Sequence, residues 1–313
     1  MTTEPIVSIR ELVVRYGKTN ALHGISFDIP RGAIFGFIGP NGAGKTSTIK
    51  VLSTLIKPAA GTATVCGFDV VKKPGEVRRK IGYMPDFFGV YDDLTAEEYL
   101  HFFAAAYHIP TAKRGQLVSD ALALTDLSEK AAAPVDGLSR GMKQRLGIAR
   151  LLLHDPEFLL LDEPANGLDP RARIEMRELL KELQSMGKTI LISSHILHEL
   201  AQFCSHIGIM EQGRVVACGP LQEIYRTLAL DRAIHIGLAG PAEPWLAAMR
   251  AIPGVASVEE LPDRLMVRLR EGELSPEDLL DSIRATGARI RMFQPDAVDM
   301  ETAFMKLTEG KTA

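Results

Sequence analysis

Between a continuously apolar run, Ala33 to Ile38, and a stretch where Ile49, Leu52 and Ile56 recur at helical spacing stands GPNGAGKT, Gly39 to Thr46. No other segment restricts the fold as strongly. A continuous apolar run of this length reads as a strand buried on both faces, inside a sheet covered by helices. The eight residues that follow fit GxxxxGK[ST], the spacing of a phosphate-binding loop, and they occupy the strand-to-helix turn that this chemistry needs. Glycines let backbone N–H groups turn inward around a phosphate, the helix N-terminus adds positive potential, and Lys45 brings a full charge to the β and γ phosphates. Thr46 is placed to ligate Mg²⁺. The candidate nucleotide contacts are therefore Gly39, Pro40, Asn41, Gly42, Ala43, Gly44, Lys45, Thr46 and Ser47. The helix is predicted to end before Pro58.

A second motif is FLLLDEP, residues 158–164, where four apolar residues build a buried strand and two carboxylates emerge at its end. Strand ends on this side are where open α/β sheets place ligands. Asp162 suits the outer shell of Mg²⁺, and Glu163 is positioned to polarise a water for attack on a γ phosphate. Further strands are predicted at residues 6–14, 25–29, 189–193 and 206–210, with a helix opening at Asp169 and Pro170. Residues 91–155 read as mostly helical: Thr95 and Glu98 form a capping box, and Leu100, Phe103 and Tyr107 make an apolar stripe. The alternation implies a mainly parallel sheet covered by helices.

Taken in order, these motifs resemble the ATP-binding-cassette (ABC) ATPases over roughly residues 6–222. LSRGM, Leu138 to Met142, is similar to the signature motif LSGGQ; Arg140 and Met142 depart from it, whereas Ser139 and Gly141 match. The resemblance implies nucleotide contact by Ser139 and Gly141 at a helix N-terminus, although Ser139 is also an ordinary N-cap. It implies adenine stacking by Tyr16, which otherwise reads as an edge tyrosine just past the first strand. NGLD, Asn166 to Asp169, resembles the loop that crosses between two cassettes, and His195, after TILISS, resembles the switch histidine at the γ phosphate. In IGYMPD, Asp86 stands where the family carries a glutamine that reaches the metal. Its carboxylate is a hard ligand suited to Mg²⁺, and an aspartate after proline is equally a turn residue. Phe87 and Phe88 follow as candidate docking residues.

The fold implied by the resemblance is a P-loop α/β cassette over residues 1–222, with a mainly parallel core sheet, an antiparallel β-subdomain and a helical subdomain at about 88–155. Its cofactors would be ATP and Mg²⁺. One phosphate loop and one signature per chain imply a head-to-tail dimer with a second cassette, identical or not, docked on separate integral-membrane permease subunits. Residues 229–313 read as a small α+β domain, with strands at 233–238 and 265–269, a helix from Ser275 ended by Gly287, strand-like ARIRMF, and a last helix around 301–307. The ending METAFMKLTEG is similar to export-type ATPase subunits of multidrug and antibiotic efflux systems.

Composition excludes other classes. The net charge of −3 arises from well-mixed signs, without the basic surface that nucleic acid requires. Cys66, Cys204 and Cys218 are scattered, which fits a reducing compartment rather than a disulfide framework or zinc site. MTTEPIVSIR lacks a basic flank with an apolar stretch behind it, and no later window approaches the ~20 apolar residues of a spanning helix. The expected location is cytoplasmic, peripheral on the inner membrane face through the permease. The alternative, a soluble ABC ATPase of the translation or DNA-maintenance type, would carry two cassettes or a long coiled-coil insert. The compact helical insert lacks sustained heptads.

Overall fold

The computed structural model describes residues 4–86, 89, 93–227, 233–270 and 272–295. Its chain divides into two compact units, the first ending at Leu221 and the second starting at Gln222. Phe87, Phe88 and the helix expected at 301–307 lie outside the described residues.

β1 (Val7–Tyr16) turns through Gly17, at φ +59°, into β2 (Thr19–Ile29), with Tyr16 opposite Thr19. β2 therefore begins at Thr19 rather than at Ile25, because hairpin pairing with β1 recruits a stretch too polar to read as strand. Tyr16 is the last residue of β1, not a residue beyond it. β3 (Ile34–Ile38) is buried at every position and leads through the glycine loop into α1 (Lys45–Leu52). That helix stops before Ile56: Thr54 takes φ +63°, and the Leu55 and Ile56 amides both fold back onto the Lys50 carbonyl. β4 (Ala60–Val65) and β5 (Phe68–Asp69) complete a four-stranded antiparallel sheet, β2-β1-β4-β5.

α2 (Pro74–Lys80) feeds β6 (Ile81–Met84), after which the chain builds α3 (Ala96–Ala106), α4 (Thr111–Leu124) and α5 (Arg140–Leu152). The capping box is reciprocal: Glu98 N–H donates to Thr95 Oγ1 at 3.3 Å, and Thr95 N–H donates to Glu98 Oε2 at 2.9 Å. Tyr99, Leu100, Val118, Leu122 and Leu146 give these helices a core of their own.

β7 (Phe158–Asp162), α6 (Pro170–Ser185), β8 (Thr189–Ser194), α7 (Leu197–Ala201), β9 (His206–Glu211) and β10 (Arg214–Pro220) complete the unit. The large sheet has the order β10-β9-β3-β8-β7-β6, with every neighbouring pair parallel except β10 with β9. β3, β7 and β8 are buried along their whole length, as their apolar runs require. The register sets Phe37 and Asp162 on either side of Ser193, so the C-terminal ends of the three strands lie together.

After α8 (Leu221–Thr227), the second unit runs β11 (Ala233–Leu238), α9 (Glu243–Arg250), β12 (Val255–Glu260), β13 (Leu265–Leu269), α10 (Pro276–Ala285) and β14 (Ile290–Pro295). Its antiparallel sheet has the order β12-β13-β11-β14, a split βαβ arrangement whose core includes Ile234, Ile236, Val267, Leu279 and Ile283. Ser275 caps α10 by accepting from Asp278 N–H at 3.1 Å. Among the described residues, no helix is long and apolar enough to cross a membrane.

The sheet centre should dominate stability. Leu160 in β7 is fully buried and packs in the main core, so Leu160→Ala is expected to lower the unfolding free energy by about 2–5 kcal/mol, read from urea denaturation.

Candidate functional site

The glycine loop is shaped by positions at which no side chain fits. Gly44 has φ +104°, and a Cβ there would lie 2.6 Å from Leu22 Cδ2; at Gly39 it would lie 2.4 Å from the Met210 carbonyl oxygen. The loop is pinned from behind by the β9–β10 turn, where Gly213 N–H donates to the Ala43 carbonyl at 3.0 Å. Gly44 provides no side-chain cap for α1, and the first intrahelical bond of the turn is Thr48 N–H to the Gly44 carbonyl. The opening amides of α1 therefore remain available to an anion, with the helix dipole behind them. This cradle and its donors fit a nucleotide phosphate chain. Thr46, the second residue of α1, is exposed on the same turn.

Lys45 is only 6% exposed; its ammonium donates to the Gly39 and Pro40 carbonyls at 2.6 and 3.3 Å and lies 3.6 Å from Glu163 Oε1. Burial pulls its pKa below the usual lysine value, and the carboxylates of Glu163 and Asp162 oppose that shift. Neighbouring carboxylates thus favour a charged lysine in a setting where an isolated ammonium would be costly.

Parallel pairing of β7 with β8 carries the acidic pair into place. Ser193 Oγ donates to Asp162 Oδ1 at 2.6 Å and accepts from Glu163 N–H at 3.0 Å, so one buried hydroxyl orients both acidic positions. Glu163 lies in the left-handed region at φ +51°, a conformation costing a non-glycine residue about 1–3 kcal/mol and common at functional sites. Its carboxylate faces Lys45 on one side, and on the other Oε2 lies 2.9 Å from His195 Nδ1. With Nδ1 donating to that carboxylate, Nε2 is an acceptor in the neutral ring and a donor in the imidazolium.

Lys45, Asp162, Glu163 and His195 are thus gathered at the C-terminal end of the sheet, beyond the ends of β3, β7 and β8. Tyr16 is 48% exposed and its hydroxyl lies 3.5 Å from Ser47 Oγ, which places the ring beside the phosphate loop. Asp86 is exposed, and its Oδ1 accepts from Asn166 Nδ2 at 3.2 Å. Ser139 caps α5 by accepting from Met142 N–H at 3.3 Å, and a Cβ on Gly141 would lie 3.0 Å from Ala172 Cβ in α6. Among the described residues, no hydrogen bond or ion pair joins Ser139 or Gly141 to the Lys45–Glu163–His195 group. Ser193 escaped the sequence reading; its signal was the hydroxyl pair that follows the apolar Ile190, Leu191 and Ile192.

Comparison with known proteins accords with this geometry. The ABC transporter family profile matches residues 22–166. The linearmycin resistance ATP-binding protein LnrL of Bacillus subtilis is 33% identical over 95% of this chain and 96% of its own. The Nod factor export ATP-binding protein I of Ralstonia nicotianae is 39% identical over 97% of this chain and 94% of its own. Among solved structures, an ATP-binding subunit of an ABC transporter superposes with a TM-score of 0.65 at 33% identity, covering 72% of this chain and 94% of that one. The cbiO1 protein of Clostridium perfringens, part of the ABC transporter complex cbiONQ, gives 0.66 at 29%, covering 72% and 92%. With the phosphate loop, the acidic strand end and the histidine assembled on one mainly parallel sheet, the chain belongs to the ABC transporter family as an ATP-binding ATPase subunit.

Proposed function

We propose that this subunit hydrolyses ATP with Mg²⁺ between two cassettes and thereby drives a separate membrane permease in the direction of export. The observation that carries the hydrolytic part is the Glu163 carboxylate, held between Lys45 at 3.6 Å and His195 at 2.9 Å, with Asp162 tied to the same Ser193 hydroxyl.

The roles follow from the residues' chemistry. Loop amides and Lys45 hold the β and γ phosphates and neutralise charge that develops on the leaving group. Glu163 accepts the proton of the attacking water, and His195 orients its carboxylate and presents Nε2 toward the γ phosphate. Thr46 and Asp162 would hold Mg²⁺, which supplies charge neutralisation and alignment of the phosphate oxygens when bound. The hydroxyl and the carboxylate are the hard oxygen donors that this ion prefers. Tyr16 offers its ring to the base. Ser139 and Gly141, at the N-terminus of α5, would serve the nucleotide of a second cassette, which explains why they stand apart from the Lys45 group within one chain.

Export and the permease partner are supported by the relatives. The resistance and Nod factor export subunits align over nearly their whole length, and thus beyond the cassette into the second unit. With no spanning helix among the described residues, membrane contact would pass through another chain.

Three outcomes test this reading. Glu163→Gln is expected to lower turnover about 10²- to 10⁴-fold while equilibrium ATP binding persists; unchanged turnover would remove Glu163 from the base role. Tyr16→Ala should raise the KM for ATP about tenfold with little change in kcat, the scale of one base–aromatic stack. Affinity purification from detergent-solubilised membranes should recover an integral membrane protein, and recovery of ribosomes alone would contradict the transport role.

A further inference from the structure

β6 and β7 are parallel neighbours, with Met84 opposite Leu161. Two residues beyond each of these lie Asp86 and Glu163, so the register brings the segment leaving β6 beside the turn that carries the proposed base. The contact across this gap is specific: Asn166 Nδ2 donates to Asp86 Oδ1 at 3.2 Å. A carboxylate is acceptor-only when ionised, so the chemistry of the pair fixes which end of the Asn166 amide faces Asp86. Asn166 in turn donates its backbone N–H to the Glu163 carbonyl at 3.0 Å, closing a tight turn over Pro164 and Ala165 directly behind the left-handed Glu163.

The rest of this loop is anchored from the opposite side. Gly167 has φ +69°, and a Cβ there would lie 2.5 Å from Arg140 Cζ and Nη1, so the guanidinium rests directly against the loop backbone. Arg173 Nε donates to the Leu168 carbonyl at 3.0 Å, and Asp169 Oδ1 accepts from Ala172 N–H at 2.9 Å to cap α6. Gly167 therefore packs against Arg140 of α5, and Leu168 and Asp169 are hydrogen-bonded to α6. Among the described residues, the hydrogen bond of the Asn166 side chain is the one it donates to Asp86.

We propose that Asp86 is a positioning residue: it acts through Asn166 on the turn that carries Glu163, and it is not a ligand of the metal. The proposal rests on the hydrolytic reading of the site. It replaces the metal role suggested by the resemblance with one set by an observed contact, and it makes Arg140 the opposing grip on the same loop. Loss of the bond frees the turn to rotate away from the conformation that holds the Glu163 carboxylate between Lys45 and His195, without altering the donors that Thr46 and Asp162 offer.

A double-mutant cycle in the full chain distinguishes the two roles. Steady-state ATP hydrolysis is measured for wild type, Asp86→Ala, Asn166→Ala, the double variant and Asp86→Asn, each titrated with Mg²⁺ and with ATP and checked by thermal unfolding. Each alanine single is expected to lower kcat about tenfold, the scale of one lost charge-assisted hydrogen bond. The double should be no worse than about tenfold, because both changes remove the same contact. Asp86→Asn keeps Oδ1 as an acceptor at nearly identical size, so it should recover most of kcat and remains informative if an alanine variant unfolds. The Mg²⁺ concentration for half-maximal rate should stay within about twofold throughout, as expected when no metal ligand is changed. Multiplying effects, or a raised Mg²⁺ requirement in both Asp86 variants but not in Asn166→Ala, would overturn the proposal and return Asp86 to the metal. If wild type hydrolyses ATP and Glu163→Gln does not, the reading of the site stands whatever the cycle shows. A wild-type chain without Mg²⁺-dependent hydrolysis would overturn both.

Discussion

The insertion of β8 between β3 and β7 is the constraint on which the rest of the first unit depends. All three strands are buried along their length and parallel, and apart from Thr189 their polar side chains lie at the C-terminal end of the sheet. Parallel pairing then brings together groups far apart in sequence: the phosphate loop after β3, the acidic pair ending β7, and Ser193 and His195 at the end of β8. A buried hydroxyl needs partners, and Ser193 finds them in Asp162 and the Glu163 amide. A strand packed for hydrophobic reasons thereby becomes the scaffold of a polar network.

Charge placement follows from that scaffold. Lys45 is buried beside carbonyl oxygens and carboxylates, which together offset the cost of removing an ammonium from water. In so sheltered a place its field is screened less than at the surface, which is useful where negative charge must be stabilised. The left-handed Glu163 fits the same pattern: the Ser193 bond and the turn closed by Asn166 over-determine its backbone, so the strain is held locally while the carboxylate stays aimed between Lys45 and His195. Pre-organisation of the base is thus a property of the loop behind it as much as of the residue itself.

Legibility varied with how local the governing physics is. The buried strands, the capping box of α3, the Asp169 cap of α6 and the Ser275 cap of α10 are all set by neighbours within a few residues, and each appears at its expected place. β2 and α1 departed from expectation because pairing with β1 extended one, and a left-handed Thr54 ended the other. β4 exists because β1 offers an edge to pair with, and β5 because β4 does. The site shows the same division. Lys45, Asp162 and Glu163 were evident from motifs whose spacing is itself the chemistry, whereas Ser193 acts only across a strand boundary that no local pattern reveals.

By itself, then, the sequence determined the residue types of the site, the strand–loop–helix geometry around the phosphate loop, the alternation that demands a parallel sheet, and the family. These depend on short-range periodicity, glycine conformation and the need to bury apolar runs. Only the tertiary structure decided which strands are neighbours, and so which side chains share a hydrogen bond: His195 with Glu163, Ser193 with Asp162, and Asp86 with Asn166. It likewise decided that the Arg140 guanidinium packs against Gly167. The reason is physical. Strand order and register are settled by the packing of the whole core, and a hydrogen bond requires placement to within a few tenths of an ångström, which residue identity and spacing along the chain do not contain.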